Sequence, residues 1–310
     1  MHASELSTEL MDALVKDISF GATLRCQKFY RDKTIQTIFD ANQSMPSSVL
    51  HRVLTKIPKE SQQLSYLEIG SGLGISLIEG LKAGYDIKGL EPGMNHGFEG
   101  RYNFSSKLLA CFGFNPLDIL YDSLAEKMTC FERETFDVVY SNQVLEHVHC
   151  IESVLKEAKR VLKSQVMIYM AMPHYLSYYE GHYHVFWLPY LLLNKSIAKY
   201  YIKMRKMDEN FIDELNFITY FGLKKVAKKV FVNEKFYIMP HFANKRMGLL
   251  GALYYYQALD FKEIPDRKVF QWLVKNKLLN ALSKPFVILI VHVLIVIGMA
   301  ESLNLIYYKK

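Results

Sequence analysis

Three glycines at alternate positions, Gly70, Gly72 and Gly74, stand in the segment Leu67-Glu68-Ile69-Gly70-Ser71-Gly72-Leu73-Gly74, after a short apolar run and before a stretch of helical character. A sharp turn between strand and helix lets backbone amides approach a ligand, and glycine is needed there because a Cβ would block the contact. A nicotinamide or flavin fingerprint requires G-x-G-x-x-G, and Ile75 occupies the place of the third glycine, which argues against a dehydrogenase. Glu91 closes the next apolar run, in Gly89-Leu90-Glu91-Pro92-Gly93. A carboxylate at that point can accept hydrogen bonds from both ribose hydroxyls of a nucleoside lying across the strand ends. The loop alone would also suit an ordinary strand-to-helix turn; the acid at the neighbouring strand end is what directs it toward a nucleoside.

A second set of residues could move a proton. His147, in Leu145-Glu146-His147-Val148, follows a strand end closely enough to face a pocket, although a histidine at a helix start also serves as a structural hydrogen-bonding group. His174, Glu180, His182 and His184 are the other candidates for a general base. Glu180, His182 and His184 alternate, so in an extended segment all three would point to one face and suit a polar substrate or a metal ion. No fourth ligand is in view, and no metal is expected. Tyr183, His184, Phe186 and Trp187 could form a lid over substrate, or equally the packing of an insertion.

The elements that must position these groups read as an α/β fold with a mostly parallel, doubly wound sheet. Leu64–Ile69, Ile87–Leu90, Phe136–Tyr140 and Val166–Met172 are short apolar runs with the density of buried strands, and Ile75–Ala83 and Val154–Leu162 read as helices between them. Residues 1–57 are expected to form a helical cap, 58–173 the Rossmann-like core, 174–232 a substrate-facing insertion, and 233–310 a completion of the sheet that includes helical segments and the runs Phe236–Met239 and Leu303–Tyr308.

In order and spacing, Glu68 to Gly74, Glu91, Phe136 to Val139 and Gln143 to Val148 resemble class I S-adenosylmethionine-dependent methyltransferases, most closely the methyltransferase type 11 group. The resembling block runs from about Tyr66 to Pro173, a third of the chain. The resemblance implies S-adenosylmethionine as cofactor, with Glu68, Gly70, Gly72 and Gly74 around its amino acid end and Glu91 on the ribose. It also implies Ala125 and Glu126 beside the adenine and Asn142 near the sulfonium. The acid often found two positions before such an Ala-Glu pair is absent, and Asp122 lies one residue further back. The later segments EGHYHVFWLP and LNFITYFGL resemble an insertion of bacterial methyltransferases associated with surface glycans, which implies O-methylation of a glycan or lipid-linked acceptor.

Methyl transfer from a sulfonium is an in-line displacement, so the protein needs to align the reactants, exclude water and, for a hydroxyl acceptor, remove a proton. His147, His182 and Glu180 are the expected catalytic groups, and Tyr183, His184 and Trp187 the expected substrate contacts. A cofactor-binding subunit without activity, or a nucleic-acid methyltransferase, would share much of this pattern. Residues 141–145 read SNQVL rather than an amino-methylating N-P-P-Y tetrapeptide, so nucleic acid is not favoured.

Composition narrows the setting. Half of the 310 residues are hydrophobic, which excludes a disordered chain, and the four cysteines form no C-x-x-C pair, which fits a reducing, cytoplasmic location without a disulfide framework or zinc ribbon. The N-terminus carries Glu5 and Glu9 and no apolar signal region, so export is not expected. Residues 1–150 hold 14 Lys+Arg against 19 Asp+Glu, whereas residues 151–310 hold 24 against 12, so the second half is the one expected to meet something anionic or to carry a solvated basic face. Pro285–Ala300 is a charge-free run of 16 residues with Lys275, Lys277 and Lys284 just before it. It is slightly short for a span, and a core helix or a helix lying in the interface of a membrane is expected before a crossing one.

Overall fold

The computed structural model describes residues 10, 12, 14–15, 63–93, 100–242, 245–259 and 268–309. The helical cap expected over 1–57 lies outside them, apart from four helical positions of which Leu10 and Leu14 are buried in the core.

The nucleotide-type core begins with β1 (Ser65–Ile69), α1 (Ile75–Lys82) and β2 (Asp86–Leu90), followed by α2 (Arg101–Cys111), the single turn α3 (Pro116–Ile119) and the two-residue β3 (Leu120–Tyr121). Next come β4 (Phe136–Asn142), α4 (Ile151–Val161) and β5 (Leu162–Pro173), the last strand starting directly where the helix stops. A short hairpin of β6 (Tyr179–Glu180) and β7 (Val185–Phe186), then α5 (Lys195–Met204) and α6 (Tyr220–Val230), make up the insertion. The chain closes with β8 (Phe236–His241), α7 (Lys245–Leu259), α8 (Lys268–Lys275), α9 (Lys277–Val296) and β9 (Ser302–Tyr308).

Seven strands form one sheet in the order β3-β2-β1-β4-β5-β9-β8. From β3 to β5 every pairing is parallel, and β9 runs antiparallel to both β5 and β8. The apolar runs are continuous because a parallel sheet is covered on both faces, yet the two-residue period still sorts the side chains. Tyr66, Val138, Tyr140, Met167 and Tyr169 pack with Ile75, Leu77 and Ile78 of α1 and Leu108 and Leu109 of α2. Leu67, Ile69, Val139, Ile168 and Met170 pack on the other face with Val154, Leu155, Ala158 and Val161 of α4. The strand order reverses between β1 and its two neighbours, so the carboxyl ends of β1, β2 and β4 open a crevice, the position where ligands bind in sheets of this kind.

Helix α9 carries the apolar segment. It is long and apolar enough to cross a membrane by length and composition, and only 17% of that window is buried. Val287, Val291 and Ile295 face the core, while Phe286, Leu289, Ile290, Val293 and Val296 are exposed. His292, in the middle of the run, is satisfied within the helix, its Nδ1 lying 2.8 Å from the carbonyl oxygen of Ile288. The helix ends at Val296 and is followed by Gly298, whose φ of 84° and close approach to the carbonyl of Leu176 require the absence of a side chain; four residues after Gly298 the chain enters the sheet as β9, between β5 and β8. The chain thus returns from α9 to the central sheet of the same domain.

Candidate active site

A cavity of about 330 Å³ occupies the crevice, and its wall includes Glu68, Gly70, Gly72, Glu91, Ala125, Glu126, Asn142 and His147. Seven of the eight expected cofactor residues therefore converge on one space. Gly74 is the exception. It has a φ of 74°, and a Cβ there would strike Ser105 on α2, so this glycine allows two helices to approach rather than contacting a ligand.

The glycine loop also works differently from an amide cradle. Gly70 and Ser71 both donate their N–H to the carbonyl oxygen of Leu90, at 2.7 and 3.1 Å, and Gly74 donates to Ser71 at 2.9 Å. The Gly72 N–H donates to Oε2 of Glu91 at 2.7 Å. Three loop amides are thus spent on fixing the loop to the end of β2, and a fourth closes the loop on itself. What glycine contributes to the cavity is room: Gly72 has a φ of 56°, and a Cβ built on it would meet nothing within 4 Å. Gly70, at φ 69°, lies against Val144, so any side chain there would displace the turn after β4.

Acidic groups dominate the cofactor end. Glu68 is buried at the end of β1, where Ser76 on α1 donates to its Oε2 at 2.5 Å. Burial pushes its pKa up to about 8, with the Glu91 charge adding to the rise and hydrogen bonds from Ser76 and Tyr140 opposing it. Glu91 serves two ends at once, because an ionised carboxylate offers about four acceptor sites and the Gly72 amide takes one. Glu126 accepts the N–H of His149 at 2.6 Å and of Cys150 at 3.3 Å, which fixes the start of α4 beside the cavity. Asp122 accepts the Gly93 N–H at 2.6 Å and is not in the wall; Ser123, Leu124 and Ala125 line that end instead.

At the opposite end, β4 stops at Asn142 and the chain turns through Gln143, whose φ is 56° and whose N–H donates to the carbonyl of Ala171. The turn places His147 in the wall and Glu146 behind it. Asn216, from the insertion, holds this turn through its N–H to the Glu146 carbonyl, at 2.6 Å, and through its side-chain amide to the carbonyls of Leu145 and Val148.

The three expected catalytic residues meet here. His182 Nδ1 lies 2.6 Å from Glu180 Oε1, and since an ionised carboxylate only accepts, this nitrogen carries the proton. The other oxygen of Glu180 receives the N–H of Tyr183 at 2.8 Å. The Nε2 atoms of His182 and His147 face each other at 3.3 Å, with the rings perpendicular and Phe211 packed against both. Burial holds the His147 pKa down at about 3, with the His182 and Arg101 charges acting in the same direction. Burial also opposes the charge on His182, but the hydrogen bond and charge of Glu180, together with Glu146, outweigh it and raise its pKa.

Several expectations are corrected. Glu180, His182 and His184 do not share a face of an extended strand, because residues 181–184 form the turn of the β6–β7 hairpin. His184 adopts a φ of 55° and is exposed beside the ring of Tyr179. Tyr183 and Trp187 are fully buried outside the cavity wall, so they are packing residues rather than a lid. The Tyr183 hydroxyl donates to the carbonyl of Asp208, and the Trp187 ring packs edge-on against Tyr175 and Phe217. Phe186 is exposed. His174 is buried, with Nδ1 at 3.1 Å from the Ala300 carbonyl and a pKa lowered by burial to about 4, which makes it a neutral structural group. Arg101, Ser71 and Gln143 in the wall, and Glu146 buried behind it, are site residues that sequence reasoning passed over. Of these only Glu146 carried a signal, as the acid directly preceding His147.

Residues 67–170 match a family model described as a methyltransferase domain. No curated protein matches the chain. Similar solved structures include a SAM-dependent methyltransferase from Thermotoga maritima, 16% identical, covering 87% of this chain and 96% of that one with a TM-score of 0.43. Another, from Archaeoglobus fulgidus, is 16% identical over 85% of this chain and 94% of that one, TM-score 0.44. Phosphoethanolamine N-methyltransferase 2 from Haemonchus contortus, solved with S-adenosyl-L-methionine, is 14% identical over 84% of this chain and 52% of that one, TM-score 0.46. The family match takes in most of β1, the glycine loop, β2, the turn after β4 and most of β5, the elements that build the crevice, and by that match residues 67–170 form a methyltransferase domain.

Proposed function

We propose that this methyltransferase acts on an oxygen of a glycan or lipid-linked small molecule at the cytoplasmic face of a membrane. The observation that carries the reading is the Glu180–His182–His147 cluster at the acceptor end of the cofactor cavity. A hydroxyl acceptor must lose a proton as it is methylated, and here an imidazole in the wall is backed by a second imidazole and a buried carboxylate that stabilises positive charge.

The cofactor residues fit a cationic nucleoside. Glu68 and Glu91 supply negative charge, the opening above Gly72 admits a ligand, and Leu124 with Ala125 offers apolar surface for a base. When bound, S-adenosylmethionine supplies an activated methyl group on a good leaving group. The chain's own residues align it, and Asn142 and His147 mark the side from which the acceptor enters.

The membrane part of the reading is supported by the exposed row Phe286, Leu289, Ile290 and Val293 on α9, by exposed Trp272 on α8, and by exposed Lys275, Lys277 and Lys284 at the same end. An apolar face rimmed by lysines suits an interface with anionic headgroups.

Replacing Gly72 by Arg fills the opening and is expected to abolish S-adenosylmethionine binding in calorimetric titration. The raised pKa of Glu68 gives a second outcome. Near pH 7 the empty site holds this carboxyl mostly protonated, and a cationic ligand beside it favours ionisation, so binding releases a proton. Titrations in buffers of different ionisation enthalpy should detect this release at pH 7, losing it above about pH 8 and in Glu68→Gln. The sign for stability is the reverse of the usual acid: the empty protein loses stability as pH rises from the unfolded value of about 4.3 through 8.

His182→Ala should leave cofactor affinity within about twofold and lower methyl transfer to a cell-extract acceptor by roughly 10²–10⁴-fold. Cofactor binding in the unaltered protein without any transfer would favour a non-catalytic partner subunit. Leu289→Ser combined with Ile290→Ser and Val293→Ser should reduce cosedimentation with phosphatidylserine vesicles; an unchanged bound fraction removes the membrane contact.

A further inference from the structure

Glu146 is fully buried, and neither of its carboxylate oxygens has a hydrogen-bond partner among the described residues. A buried carboxylate left in this state costs several kcal/mol unless something else meets it. Its Oε1 lies 4.0 Å from Nε2 of His147, which in turn lies 3.3 Å from Nε2 of His182, and one donor atom from each of the three side chains falls within 4.8 Å of the others. We propose that Glu146, His147 and His182 bind a divalent first-row transition-metal cation of the Zn²⁺ class. This rests on the methyltransferase reading only for its purpose, since the cation would sit beside the acceptor end of the same cavity.

The geometry supports this in three ways. Two donors each about 2.0–2.1 Å from a tetrahedral ion stand ~3.3 Å apart, which matches the separation of the two Nε2 atoms. Without a metal the two Nε2 atoms share one proton as a hydrogen bond, and a cation would take the place of that proton with the Glu146 carboxylate, 4.0 Å from His147 Nε2, as a third, anionic donor. His182 also donates its second ring nitrogen to Glu180, at 2.6 Å, the carboxylate partner that fixes tautomer and ring direction in metal-ligating histidines. A cation between the rings would satisfy the unpartnered oxygens of Glu146 and neutralise the buried charge. The donor set of two imidazoles and one carboxylate suits zinc and its first-row neighbours rather than magnesium or calcium, which prefer all-oxygen sites. With three protein ligands, a coordination position remains for water or for the oxygen of an acceptor.

The placement departs from the alternating residues that first suggested a metal. His184 is exposed on the hairpin turn and takes no part, and the ligands come from two separated segments, the turn after β4 and the β6–β7 hairpin. Asn216 clamps the first of these through the backbone of Glu146 and Val148. The insertion therefore supplies one ligand and one clamp.

The test uses the full chain without a purification tag, stripped with chelator and titrated with Zn²⁺ by calorimetry and with Co²⁺ by visible absorption. One equivalent should bind, and Co²⁺ should give ligand-field bands of low-symmetry coordination. His182→Ala and Glu146→Gln should each weaken Zn²⁺ at least about 100-fold, Glu180→Gln about 10–100-fold, and His184→Ala not at all. Because Glu146 is buried, S-adenosylmethionine affinity of each variant serves as the folding control, and His182→Ala, at a partly exposed site, carries the test if Glu146→Gln does not fold. Absence of Zn²⁺ binding, or equal binding by the unaltered protein and His182→Ala, overturns the metal site while leaving methyl transfer standing. Stoichiometric Zn²⁺ binding lost in the variants, with no methyl transfer under any condition, supports the site and counts against the catalytic reading instead.

Discussion

The active crevice depends on how the glycine loop is tied to the end of β2. Two loop amides share the carbonyl of Leu90 and a third reaches the carboxylate of Glu91, so the first helix cannot move relative to the second strand without breaking all three bonds. The same tie sets the position of Gly72, the one point where the loop leaves an opening into the cavity. An acid of the cavity wall is therefore also a structural bracket. This explains why the left-handed backbone at Gly70 and Gly72 is maintained although neither amide is left over for a phosphate-like contact.

Much of the core was legible because its strands are buried on both faces and so read as uninterrupted apolar runs. β1, β2, β4 and β5 fall on the expected segments, and Pro173 ends β5 as its missing donor suggests. The elements that escaped notice are those without such a signature. β3 has only two residues, and α2 buries Phe104, Leu108 and Leu109 beside Ser105 with little else in its sequence to mark a helix. Within the site, convergence of Glu68, Gly70, Gly72, Glu91, Ala125, Glu126 and Asn142 followed from strand order. Gly74 did not, because its demand is for packing against Ser105. Alternation misled at Glu180, His182 and His184 because period two holds only while the backbone stays extended, and Gly181 begins a turn. Glu146 went unread because the one signal it carried, its place before His147, does not reveal that it is buried.

The two ends of the cavity handle buried charge by different means. At one end, burial raises the pKa of Glu68 to about 8, so desolvation favours its uncharged form near neutral pH. At the acceptor end, charge is stabilised in place by a Glu–His pair, and the insertion that brings this pair also buries Tyr183, Trp187 and Phe211 around it. The aromatic content of the insertion thus serves to hold the polar cluster rigid and dry, conditions under which a single carboxylate has a large effect on a neighbouring imidazole.

The position of β9 governs how the molecule can be made. Strand β9 lies between β5 and β8, so Met170 pairs with Leu305, a residue far later in the chain. Until β9 is in place, one side of β5 is a bare template of amide and carbonyl groups. Closure of this sheet is consequently a long-range step, and the open side of β5 must be shielded from self-association until it occurs.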